Sequence, residues 1–140
     1  MLGKIFLTFL LSGMSIATQA QGVIQGQLYW LPTQSNFQEN IPYQGVPLEI
    51  FVYELTTAED VEREGDAIKR INSRLVQQGF CRPDGAFKIK VPPGQYSVFV
   101  RYKNDFFGNL KDDRGHLSPA YAKAKKSAWV TITLNYSAYH

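Results

Sequence analysis

Tyr96-Ser97-Val98-Phe99-Val100-Arg101-Tyr102 decides the fold class. Tyr96, Val98, Val100 and Tyr102 fall on one parity, and Ser97, Phe99 and Arg101 on the other. A period of two residues, in a run rich in β-branched and aromatic side chains, is the pattern of a strand with one face in a core. Upstream, Pro92-Pro93-Gly94 interrupts this rhythm, because two prolines cannot donate ladder hydrogen bonds; Gly94 is expected there at a positive φ. Before that turn, Phe87, Ile89 and Val91 alternate with Lys88 and Lys90, and Pro83-Asp84-Gly85 forms a tight turn after Phe80-Cys81. Leu48, Ile50 and Val52 share a face further upstream, as do Ile24, Gly26, Leu28 and Trp30 near residue 24. Downstream, Val130, Ile132, Leu134 and Tyr136 share another. Repeated half-buried strands between turns predict a mainly β, antiparallel sandwich.

One stretch departs from the rhythm. Thr56-Thr57-Ala58-Glu59 has the spacing of a capping box. Acidic residues follow (Glu59, Asp60, Glu62, Glu64, Asp66) and then basic ones (Lys69, Arg70, Arg74), the order that complements a helix dipole. Val61, Ile68, Ile71 and Leu75 fall at helical spacing, and Gly79 can close the element. The pattern predicts one inserted α-helix over about 58–77, within an insertion spanning 57–78, with a kink at Gly65. The sheet gives such an element a purpose. If Leu48, Ile50 and Val52 point inward, then Phe51, Tyr53, Leu55 and Phe99 point outward and leave an apolar patch. The helix either covers Phe51, Tyr53 and Phe99, or swings free and leaves the patch to a partner.

Gly22–Leu28, Gly45–Val52, Pro83–Phe87 and Pro92–Tyr96 occur in an order that resembles the carboxypeptidase regulatory-like domain. The resemblance covers about 22–102. Its most telling parts are Asp84-Gly85-Ala86-Phe87 and Pro93-Gly94-Gln95-Tyr96, which are turn-and-strand signatures. It implies a prealbumin-like (transthyretin-like) sandwich of about seven strands, an accessory module of exported bacterial proteins. The insertion is longer than the usual strand connection, and 104–126 has no clean counterpart in the family. The same fold hosts hydroxyisourate hydrolase, which relies on several His, an Arg and a C-terminal Tyr-Arg-Gly-Ser. This chain ends Asn135-Tyr136-Ser137-Ala138-Tyr139-His140 and lacks that set.

Residues 1–20 have the three regions of a cleaved signal peptide: Lys4, the apolar run Ile5–Leu11, and Thr18-Gln19-Ala20. Cleavage is expected between Ala20 and Gln21, with Ser15-Ile16-Ala17 as a second possible site. The apolar run is too short to span a bilayer, and no later segment is long enough, so no transmembrane segment is expected in the mature chain. The rest, 21–140, reads as a single exported domain, periplasmic or secreted. Of 140 residues 44% are hydrophobic and 14% aromatic, which excludes a disordered chain. Removing 1–20, with Lys4 and no acid, lowers the net charge from +3 to +2, a balance that does not point to nucleic acid. The single cysteine, Cys81, has no internal disulfide partner and is expected as a buried strand thiol.

Catalytic patterns are scarce. His116 lies in the polar loop Asp112–His116, and His140 ends the chain. Two distant histidines do not suggest a triad or a zinc site. Asp105, Asn109, Asp112 and Asp113 could offer oxygens to calcium, but Lys111 and Arg114 interrupt them and the spacing is no calcium loop. Neither a metal nor another cofactor is expected. Lys123-Ala124-Lys125-Lys126 reads as a solvated turn. The candidate partner contacts are Phe106 and Phe107, flanked by Asp105 and Asn109. Such a loop suits sugar stacking or a protein anchor, unless both rings plug an open end of the core. The expectation is an exported, non-catalytic module with a protein or glycan partner in the cell envelope. The competing reading is a small metal-dependent enzyme using the 104–116 loop.

Overall fold

Every alternating segment becomes a strand. The computed structural model describes residues 20–31, 41–65, 67–109 and 112–135, so the expected leader 1–20, apart from Ala20, lies outside the described residues. The strands are β1 (Gly22–Leu31), β2 (Ile41–Pro42), β3 (Glu49–Glu54), β4 (Val61–Glu64), β5 (Ala67–Ile71), β6 (Leu75–Phe80), β7 (Ala86–Val91), β8 (Gly94–Tyr102), β9 (Asp105–Phe107), β10 (Pro119–Ala122) and β11 (Ser127–Asn135). They form two sheets, of four and seven strands. In the smaller sheet β1 is central. It runs parallel to β11 on one side and antiparallel to β7 and β2 on the other. The larger sheet has the order β4-β5-β9-β8-β3-β6, with β10 also paired to β8.

The inward parities meet between the sheets. Ile24 and Leu28, Phe87, Ile89 and Val91, and Val130, Ile132 and Leu134 pack against Ile50, Val52, Tyr96, Val98, Val100 and Phe107. Gly26 is required by this packing. A Cβ there would lie 2.2 Å from the Phe87 ring and 2.2 Å from the Val130 carbonyl oxygen. The missing side chain is the space that the Phe87 ring fills. Cys81 is buried immediately after β6 rather than within a strand. The Leu48 N–H donates to its Sγ at 3.3 Å, and burial pushes the thiol pKa up.

The expected helix over 58–77 is corrected by the structure. Only Ala58–Asp60 forms a single 3-10 turn, and β4, β5 and the first half of β6 occupy most of the rest. The capping signal falls one residue later than expected and stays local: Thr57 and Asp60, not Thr56 and Glu59, make the box, the Asp60 carboxylate accepting from the Thr57 N–H at 2.9 Å, and the chain is extended by Val61. The acid-then-base order belongs to a hairpin. Glu62 pairs across the ladder with Arg70 and Val61 with Ile71, while Glu54 meets Arg74 at 2.7 Å. Gly65, read as a kink, has φ 63° where β4 turns toward β5, a conformation that glycine adopts without a Cβ clash. The expected number of about seven strands is likewise exceeded, because the insertion adds strands of its own. Gly94 has no positive φ; it opens β8 in ordinary strand geometry.

The economy that called for a cover nevertheless holds. Phe51, Tyr53 and Phe99 form a second cluster with Ile68 and Leu117, on the opposite face of the large sheet from the main core. Val61, Ile71 and Phe106 pack against it. The link is the turn at Lys103 and Asn104, both at positive φ, which folds β9 back beside β8; Ile68 of β5 then pairs with Phe106. The sheet curls over its own outer face.

Candidate binding surface

The loop aromatics lie on β9, and strand alternation separates them. Phe107 is buried in the main core, while Phe106 is half-buried in the outer cluster, edge-on to Phe51 with centroids 5.3 Å apart. Asp105 is buried and accepts a 2.8 Å hydrogen bond from Lys69 Nζ, which holds the Lys69 pKa up. Asn109 is partly exposed. The structure therefore gives Asp105, Phe106 and Phe107 packing and charge-pairing roles within the sandwich, and brings no open aromatic platform together at 105–109.

Asp112 organises the next loop. Its Oδ1 accepts the N–H groups of Arg114 and His116, each at 2.9 Å, and its Oδ2 lies 3.2 Å from His116 Nδ1 and 3.3 Å from Tyr121 OH. The backbone N–H of His116 is the main reason its pKa is lowered. The carboxylate is engaged in closing this loop, which leads into Leu117 and the outer cluster. The Leu117 N–H donates to Thr56 O at 2.8 Å, fastening the loop beside the 3-10 turn. Among the described residues, no group of three or more His, Cys, Asp or Glu converges as a metal site.

The outer face of the four-stranded sheet is different. Alternation on β1 sends Val23, Gln25, Gln27 and Tyr29 outward; on β11 it sends Ser127, Trp129, Thr131 and Thr133. Trp129 is 64% exposed, beside hydroxyl and amide side chains. Its Nε1 donates to Thr131 Oγ1 at 3.1 Å, which holds the indole along the strand. Register places Trp129 beside Gln25 and Gln25 beside Lys88, one row across three strands. Neighbouring strands lie about 4.8 Å apart, so the row extends about 10 Å. Beyond Lys88 the sheet edge opens on a shallow groove of about 280 Å³, lined by Phe80, Arg82, Ala86, Phe87 and Lys88. Phe80 is 66% exposed there. Sequence reasoning missed this surface by following only the inward parities. The signal was present in the outward one: a tryptophan in series with Ser127, Thr131 and Thr133, where a solvated strand needs only polar residues.

No family model matches the chain, and no curated protein matches it. A Pseudomonas aeruginosa structure, of a candidate carbohydrate-binding protein (PA1324), is similar at TM-score 0.51 and 13% identity, over 83% of this chain and 90% of that one. A Cyanothece 9R-lipoxygenase reaches TM-score 0.38 at 14% identity, over 83% of this chain and 16% of that one. The shaft pilin SpaA of Lactobacillus rhamnosus GG reaches 0.36 at 9%, over 83% and 50%. What is shared with the Pseudomonas structure is the fold. It is a β-sandwich, and at such identities the likeness extends no further.

Proposed function

We propose that this chain is an exported, non-catalytic β-sandwich module of the carboxypeptidase regulatory-like type, and that it binds a glycan on the outer face of the four-stranded sheet. The observation that carries the reading is Trp129: a large aromatic left exposed on a regular sheet face where Gln25, Gln27, Ser127, Thr131 and Thr133 outnumber the less polar Val23 and Tyr29. Aromatic rings bury the C–H faces of sugars while amides and hydroxyls meet their O–H groups; Gln25 lies across the ladder from this indole and Thr131 two residues along its own strand. A carbohydrate-binding description of a protein with the same overall fold is consistent with it. The leader reading supplies the location.

The test is a polysaccharide panel read by tryptophan fluorescence. The sequence holds two tryptophans, and Trp30 packs against Tyr43 and Tyr102 at centroid distances of 5.2 and 5.4 Å, so an exposed-indole response reports Trp129. For the variants, which lack the reporting indole, binding is followed by affinity electrophoresis; it should be lost in Trp129→Ala and largely retained in Trp129→Tyr. Capture of the same glycans by both variants would place the site elsewhere. Mass spectrometry of exported protein should find a chain starting at Gln21. Calcium or zinc should leave the melting temperature unchanged, whereas a ligand of the native state raises it, which would favour the metal-dependent reading of the 104–116 loop.

A further inference from the structure

We infer that the glycan taken by this face is acidic, and that it runs from Trp129 across Gln25 to Lys88 and into the groove beside Phe80 and Arg82. This rests on the reading of the face as a glycan site and adds the charge class and the path. Charge complementarity is the warrant. None of β1, β2, β7 and β11 carries an Asp or Glu, while β7 projects Lys88 and Lys90 outward in register with Gln25 and Val23. Among the described residues neither lysine enters an ion pair. The turn Lys123–Lys126 is tied to the same end of the sheet, through Lys125 N–H to Gln21 O at 3.1 Å and Val23 N–H to Lys126 O at 3.0 Å. Glu49, Glu54, Glu62, Glu64 and Asp105 sit on the seven-stranded sheet. Asp84 stands at the groove itself, paired with Arg82 and accepting from Gln27 Nε2 through its carbonyl at 2.7 Å, so the face is predominantly rather than wholly basic.

The path follows from the same geometry. Lys88 belongs both to the row with Gln25 and to the groove wall, so the two are continuous. Arg82, at the groove, is paired with Asp84 at 3.3 Å and remains largely exposed, so it can exchange that partner for a ligand carboxylate. Gln25 makes no side-chain hydrogen bond among the described residues and offers both a donor and an acceptor. That suits a chain of hydroxyls bearing carboxylates better than a phosphodiester backbone, which mainly accepts.

Affinity electrophoresis of the exported chain through polygalacturonate, through the same polymer methyl-esterified, and through oligo-dT of matched charge tests the inference. Polygalacturonate should retard the protein, esterification should weaken retardation at least tenfold, and oligo-dT should be much weaker. Lys88→Gln/Lys90→Gln should lose at least tenfold on the acidic polymer and nothing on the ester; Arg82→Gln should lose less; Trp129→Ala should lose both polymers. All four positions are exposed, and matching melting curves will confirm that the variants fold. Equal retention on acid and ester, or no effect of the lysine changes, overturns the acidic assignment and leaves the glycan reading standing. No retention on either polymer, with Trp129 fluorescence unmoved, overturns both. Equal retention on oligo-dT shows recognition of charge alone and also overturns both.

Discussion

The two sheets turn opposite outer faces to the world. On the seven-stranded sheet the outward parity is aromatic, with Phe51, Tyr53 and Phe99, and the chain returns through β4, β5, β9 and Leu117 to cover it. On the four-stranded sheet the outward parity is mostly Gln, Ser, Thr and Lys, with Val23 and Tyr29 among them, and it carries a single exposed indole. The comparison teaches how to weigh an outward aromatic. Several on one parity form a second core, because an uncovered patch of that size is unfavourable in a monomer. One among polar neighbours needs no cover, and its exposure is left to be explained by what it contacts.

The contrast can be broken most forcefully at Phe99, which is fully buried in the outer cluster. Phe99→Ala should cost about 3–5 kcal/mol and lower the melting temperature by roughly 10 °C or more. A parent-like melting curve would mean the cover does not close. Gly26→Ala, under the bare face, should cost about 1–3 kcal/mol, because its Cβ meets the Val130 carbonyl as well as the Phe87 ring. Chemical denaturation will give that value, and an unchanged midpoint would show that β1 and β11 can separate at no cost.

A pH series tests the clasp of the covered face. The folded-state pKa of Asp112 is held below its ordinary 3.8, mainly by the His116 N–H. A lowered carboxylate pKa gives stability that is complete above the unfolded value and is lost as pH falls through the folded one. Asp112→Asn should therefore flatten the acid side of the melting profile below about pH 4. If parent and variant run parallel there, the clasp contributes nothing. The smallest effect belongs to Trp129→Ala, expected within about 0.5 kcal/mol of the parent despite the size of the side chain removed. A loss comparable to that at Phe99 would show the indole to be structural and would end the contrast.

The sandwich was legible because its strands keep strict parity: Tyr96–Tyr102 and Leu48–Tyr53 alone specify both faces of the large sheet. The need for a cover over Phe51, Tyr53 and Phe99 was legible too, though its form was not. Val61, Ile68 and Ile71 fit both a helical stripe and a hairpin, and the ordering of acids before bases serves a dipole and a cross-strand ladder equally well. Gly65-Asp66 was the discriminating signal, since Gly-Asp between two short runs is hairpin-turn chemistry. Within the candidate site, Phe106 and Phe107 drew attention as a loop pair, but adjacent residues on a strand face opposite ways and here both found neighbours. Trp129 and Lys88 were readable as outward residues. Their alignment through Gln25 was not, because register between distant strands is a property of the fold.

The parallel pairing of β1 with β11 has a mechanical consequence. Nine register pairs, from Val23–Ser127 to Leu31–Asn135, join the first described strand to the last. Because the two run the same way, residue 22 and residue 135 emerge at opposite ends of the ladder. Tension between them is directed along the strands and loads the whole ladder in shear, where antiparallel ends would peel open one pair at a time. The topology that sets Gln25 beside Trp129 is therefore also the one best placed to bear a pull between the two ends of the domain.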